Sequence, residues 1–182
     1  RDLSIEDIIQ LGTHSVSPRI LRELAEMGMG DLSIEDILQL SIHGVSPRLL
    51  RELKELGMDQ LSIEEIVKLS IHNASPRLLR ELRELGLEGI DTDDLMQMAV
   101  HDVSPKFVRR LQELGYTNVA IDDLISMRIH SVGATFIENL QAQGYSNLTP
   151  EQLVSFRIHN VQPSLLEALR QRGFDDVTPQ LI

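Results

Sequence analysis

Apolar residues recur along the chain at helical spacing, in short runs cut by turn residues at fixed intervals. In the stretch 32–60, Ile34, Ile37, Leu38 and Ile42 form one stripe, and Leu40 widens it. Leu49, Leu50, Leu53 and Leu56 form a second stripe. Ser33 stands before the first stripe with Asp36 three residues on, an acidic capping box, and Leu32 and Ile37 flank it as a hydrophobic staple. Ser46 and Pro47 open the second, Val45 is its staple, and Gly57 closes it. The spacing predicts two helices of about 10 residues each, the first ending at His43. The residue after it is Ser15, Gly44, Asn73, Asp102, Ser131 or Asn160, types that turn a chain and tolerate the left-handed backbone that ends a helix. Helices this short are marginal alone and need neighbours.

That pattern repeats. His14, His43, His72, His101, His130 and His159 are each 29 residues apart, and Gly28 through Gly173 and Leu24 through Leu169 keep the same step. A fixed period of this length marks a stacked repeat array, in which each repeat contacts chiefly its neighbours. The fold expected is all-α: an α-solenoid of six helix–turn–helix repeats of 29 residues. They run 3–31, 32–60, 61–89, 90–118, 119–147 and 148–176, with 177–182 opening a truncated seventh. That ending reads as a piece cut from a longer protein. The first three repeats are nearly interchangeable, which points to recent duplication or consensus design. Later ones drift, and the fifth has Gly133-Ala134-Thr135 where the first three have Ser-Pro-Arg.

Composition narrows the function. The net charge of −11 and pI near 4.9 argue against a nucleic-acid grip, which needs clustered cations. No apolar run approaches the length of a membrane span, so insertion is not expected. With no cysteine there is neither a disulfide framework nor a thiolate metal site. The compartment is left open. With 3% aromatic residues, the core must be aliphatic.

The repeat resembles short helical repeats of bacterial proteins found beside BlaR-type membrane metallopeptidase domains. The segments that carry the likeness are Ile121-Asp122-Asp123-Leu124-Ile125-Ser126-Met127-Arg128-Ile129-His130 and Leu153 to Val161, with Gly115-Tyr116 and Gly144-Tyr145 as endings. The first four repeats depart from the pattern, with Gly12, Ser41, Ser70 and Ala99 in place of its Arg. The likeness implies a bacterial source and a regulatory extension of such a peptidase. It implies no peptidase activity, because no His-Glu-x-x-His motif is present.

Two ladders invite a chemical reading. The six histidines form the first. Zinc needs nitrogens about 2.0–2.1 Å from the metal, whereas packed helices lie about 8–10 Å apart. Histidines carried on translated repeats run parallel, so they are expected to be structural markers, with no metal and no cofactor. The second ladder is basic. Arg19, Arg48, Arg77 and Lys106 stand three residues before Arg22, Arg51, Arg80 and Arg109, so each pair shares a helix face. This stripe is the candidate surface for another protein or peptide, an acidic one by charge. The competing reading is that it is neutralised within the chain, Arg48 by Glu52 and Arg51 by Glu55, with the acids of the first helices nearby. A paired change adds a third expectation. Arg128 and Arg157 appear in the repeats where Arg22, Arg51, Arg80 and Arg109 give way to Glu138 and Glu167. Ion pairs Arg128–Glu138 and Arg157–Glu167, or Arg157–Glu138 across repeats, would follow. No catalytic constellation is visible. The expected function is therefore a non-enzymatic interaction or spacer module. Head-to-tail self-association through uncapped ends is the alternative.

Overall fold

The computed structural model describes residues 3–58 and 60–174. Among them are twelve α-helices, each of nine residues, and no strand. The first helices of the repeats are α1 (Ile5–Thr13), α3 (Ile34–Ile42), α5 (Ile63–Ile71), α7 (Thr92–Val100), α9 (Ile121–Ile129) and α11 (Pro150–Ile158). The second helices are α2 (Pro18–Glu26), α4 (Pro47–Glu55), α6 (Pro76–Glu84), α8 (Pro105–Glu113), α10 (Ala134–Ala142) and α12 (Pro163–Gln171). The chain is an α-solenoid of helical hairpins repeating about every 29 residues. The expected start of a seventh repeat, 177–182, lies outside the described residues.

The chain forms two compact bodies, Arg1–Arg80 and Glu81–Ile182. In the first, α1, α3 and α5 pack in one layer and α2 and α4 in another. In the second, α7, α9 and α11 form one layer and α8, α10 and α12 the other. First helices thus pack on first helices and second on second, as translation of a hairpin requires.

Local chemistry explains why the elements start and stop where they do. Ser33 accepts the Asp36 amide while the Asp36 carboxylate accepts the Ser33 amide, and the same box stands at Ser4/Asp7 and Ser62/Glu65. Each first helix ends on its histidine. The next residue is left-handed in all six repeats, with φ of 52–57° at Ser15, Asn73, Asp102, Ser131 and Asn160 and 70° at Gly44. The Val45 amide then donates to the Leu40 carbonyl at 2.9 Å and the Gly44 amide to Ser41 at 3.1 Å. This is the Schellman pairing, and its two apolar members, Val45 and Leu40, are both buried.

The core departs from the expected stripe at one point. Leu40 is fully buried, whereas Ile42 is 53% exposed. The two are 200° apart around the helix, and the turn folds Val45 onto the Leu40 side, so Ile42 faces outward. The core of the first helices is therefore the pair three apart, as in Ile66/Leu69, Leu95/Met98 and Leu124/Met127. In the second helices Leu50 and Leu53 are fully buried, with Leu49 and Leu56 half-buried. Burying each such leucine contributes roughly 1.5–3 kcal/mol.

Candidate functional site

The helix C-termini leave carbonyls without helical partners, and several are met by a side chain from the following repeat. The Ser41 hydroxyl donates to the His14 carbonyl at 2.7 Å and the Ser70 hydroxyl to His43 at 2.9 Å. In the second body Ala99 at this position carries no donor, and the last two repeats have arginine there: Arg128 Nε donates to the His101 carbonyl at 3.2 Å, and Arg157 donates to Ser131 through Nε and Nη2 at 3.0 and 2.6 Å. A second row of rungs serves the second helices. Lys54 donates to the Glu26 carbonyl at 2.6 Å, Gln112 to Leu85 at 2.8 Å and Gln141 to Leu114 at 2.9 Å.

The basic stripe divides into two rows with different fates. In the inner row, Arg51 Nη2 reaches Glu23 of the preceding repeat at 2.5 Å, and Arg80 reaches Glu52 at 3.5 Å. The Arg51 hydrogen bond holds the Glu23 carboxyl below its ordinary value, and Glu23 in turn raises Arg51. In the second body the polarity inverts: Arg110 holds Glu138 of the following repeat, as well as Glu113 at 2.6 Å. Arg22 and Arg109 occupy the same row and are exposed. In the outer row, at the starts of the second helices, Arg19, Arg48, Arg77 and Lys106 are exposed. Arg48 pairs with Glu52 at 2.7 Å rather than facing outward alone. The stripe is thus partly neutralised from within, and Arg51 turns to the preceding repeat's Glu23 rather than to Glu55.

The expected Arg128–Glu138 and Arg157–Glu167 pairs do not form, nor does Arg157–Glu138 across repeats. Arg128 bonds Asp102, Arg157 bonds the Ser131 carbonyl, and Glu138 belongs to Arg110. What the arginines follow is an aromatic ring. Arg128 lies over Phe107 at 5.1 Å from the ring centre, and Arg157 over Phe136 at 4.4 Å. The equivalent positions before Ser41 and Ser70 are Ile20 and Leu49. The coupled pair is therefore the second-helix residue of one repeat and the first-helix residue of the next. Arg170 over Tyr145, at 5.7 Å, adds a related contact at the other row of rungs.

The histidines sit at the helix C-caps, and among the described residues no three His, Cys, Asp or Glu side chains gather in a group able to hold a metal. Beside them runs a feature the sequence reading assigned to the core. Ile42, Ile71, Val100, Ile129 and Ile158, each immediately before a histidine, are all more than half exposed. In the first body, a cleft of about 420 Å³ opens between the turns of the second and third repeats, with Leu49, Leu69 and Ala74 inside and Ser46, Ser70 and Ser75 at its lip. In the second body, a cleft of about 510 Å³ lies at the opposite edge of the hairpins, lined in part by Val108, Leu111 and Leu124 with Glu88, Asp94 and Asp122.

Fold and surface together define a class, the hairpin-repeat protein of the α-solenoid type. No protein family, curated protein or solved structure that was compared matches the chain. No helix among the described residues is long and apolar enough to cross a membrane.

Proposed function

We propose that the protein is a non-enzymatic protein-interaction module whose bodies engage a partner through exposed aliphatic residues, Ile42 and Ile71 in the first and Val100, Ile129 and Ile158 in the second. The observation that carries this reading is their recurrence. Five consecutive repeats keep a β-branched aliphatic residue more than half exposed at one position, where the Schellman turn makes no demand for it. A repeated apolar surface of this kind marks a binding site rather than folding need. The net charge of −11 supports a protein partner over nucleic acid.

Affinity capture followed by calorimetry of the purified pair tests it, comparing the parent chain with Ile42→Ser/Ile71→Ser/Ile129→Ser. The expected result is a partner bound by the first and at least tenfold weaker with the second. A chain that captures nothing and stays monomeric would reduce the module to a spacer.

Self-association is favoured by one separate observation. Leu3, Ile5, Ile8 and Ile9 are exposed on and beside α1, whereas the equivalents of Ile8 are half-buried at Ile37 and fully buried at Ile66. Either a preceding repeat of the same chain or a copy stacked on α1 would cover them. Mass that rises with concentration in light scattering would favour this reading, and a constant monomer mass would remove it.

A further inference from the structure

We infer that the turn edge of the first body binds acidic polypeptide segments that carry a bulky apolar side chain. This rests on the interaction-module reading and names the partner that module takes.

The hairpin topology sorts charge. The C-termini of α1, α3 and α5 and the N-termini of α2, α4 and α6 share one edge, made of segments 13–19, 42–48 and 71–77. Those segments contain no Asp or Glu, and they contain His14, His43, His72, Arg19, Arg48 and Arg77. The carboxylates of the first helices, Glu6/Asp7, Glu35/Asp36 and Glu64/Glu65, stand at the other ends of the same helices. In a chain of net charge −11 this edge is therefore locally cationic. The positive ends of the α2, α4 and α6 dipoles are offset there by the negative ends of α1, α3 and α5, so the side chains set the sign. Glu52 reaches this edge from within, accepting from Arg48 Nε. The Arg48 side chain is nonetheless 84% exposed, and an exposed pair of this kind exchanges at little cost. Its two terminal nitrogens are placed to take a partner carboxylate.

The same edge is apolar. Ile42 and Ile71 are 53% and 51% exposed. The cleft of about 420 Å³ between the turns has a floor of Leu49, Leu69 and Ala74. That volume is at the small end of ligand sites and suits one or two side chains rather than a cofactor. Cations alone would accept any polyanion, and an apolar row alone any hydrophobic segment. Their juxtaposition selects a chain that offers both.

The test is fluorescence anisotropy of the full chain with three labelled octapeptides. The probe is Asp-Glu-Asp-Leu-Phe-Asp-Glu-Leu. The second peptide replaces its Leu and Phe by Ser, and the third replaces its acids by Asn and Gln. A labelled single-stranded oligonucleotide serves as a plain polyanion. The protein variants are Arg48→Gln/Ile71→Ser, both at exposed positions and checked for helicity, and Leu165→Ser/Arg172→Gln in the second body, exposed and outside the aliphatic row, as a control. The expected result is binding of the probe at least tenfold tighter than of either other peptide or the oligonucleotide, weakened at least tenfold by Arg48→Gln/Ile71→Ser and unchanged by the control. Equal binding of the Ser peptide or the oligonucleotide would overturn the inference in favour of non-specific anion capture. Binding unaffected by Arg48→Gln/Ile71→Ser, or lost equally in the control variant, would overturn this surface while leaving the interaction module standing. No binding of the probe would overturn the inference. A partner captured through the aliphatic row would then still support the broader reading.

Discussion

The two bodies close the same gap with different chemistry. Between early repeats a serine hydroxyl reaches back to the carbonyl at a helix end, and the positions equivalent to the later phenylalanines are Ile20 and Leu49. Between later ones an arginine does so, over Phe107 or Phe136. The backbone is unchanged, because it demands only a donor at that carbonyl. A short donor goes with an aliphatic neighbour, whereas a long planar donor arrives with a ring to lie on. The bodies also differ in their caps. The first helices α1, α3 and α5 all carry boxes built on a carboxylate. In the second body α7 keeps such a box on Asp91/Asp94, whereas α9 and α10 have Ala120 and Gly133 at their N-caps, without a side-chain cap, and α11 uses the neutral pair Thr149/Gln152.

The largest effect should ignore this difference. Leu53→Ala and Leu111→Ala remove equivalent, fully buried side chains and should each cost about 2–5 kcal/mol. Denaturant unfolding monitored by circular dichroism would measure it. A much smaller loss in one body would show that the cores are not equivalent. Next comes the rung itself. Arg157→Ala removes a cation–π contact and charge-assisted hydrogen bonds and should cost about 1–3 kcal/mol. Ser70→Ala removes one neutral bond and should cost about 0.5–1.5 kcal/mol. Thermal melts of both should rank them in that order.

The inter-repeat ion pairs sharpen the comparison further. Arg51→Glu leaves Glu23 facing a like charge, and the exchange Glu23→Arg/Arg51→Glu should restore the melting temperature, as Arg110 and Glu138 do naturally. The recovery should shrink at high salt, since these groups are solvated. A swap that fails at low salt would mean the pairing is incidental.

The smallest effect is one of pH. Asp36 and Glu65 are held below their ordinary values by the Ser33 and Ser62 hydroxyls and then by the backbone amides. A carboxyl whose folded value is depressed contributes stability above its ordinary range, and loses it as pH falls through the folded value. Acidification below about pH 4 should therefore loosen the starts of α3 and α5, whereas the Thr149/Gln152 start of α11 holds. Hydrogen exchange across pH 6 to 3, roughly spanning that range, would report the order. Simultaneous loosening of all three helices would contradict it.

Much of this fold is written in single residues. The turn types after each histidine forecast left-handed backbone, and each of the six adopts it. The Ser-x-x-acid and Ser-Pro starts forecast the caps. The stripe went astray at Leu40 and Ile42 because periodicity does not show how a tight turn folds Val45 onto one side of the helix. The inner arginines were legible in principle: Glu23 and Arg51, Glu52 and Arg80, and Arg110 and Glu138 are opposite charges 28 residues apart, one short of the period. Spacing of i,i+4 points to partners on the same helix, whereas translation places these in adjacent repeats. For Arg128 and Arg157 the opposite charges of Glu138 and Glu167 are the visible signal, within or across repeats, and the phenylalanines of the preceding repeats are not.

A transplant tests the central claim, that each inter-repeat rung is a coupled pair, most directly. Ser70→Arg, Leu49→Phe and the double variant would place the arginine–ring rung in the first body, with unfolding free energies measured for all four proteins. The double variant should exceed the sum of the single effects by about 0.5–1 kcal/mol. Effects that add within about 0.3 kcal/mol would contradict the claim.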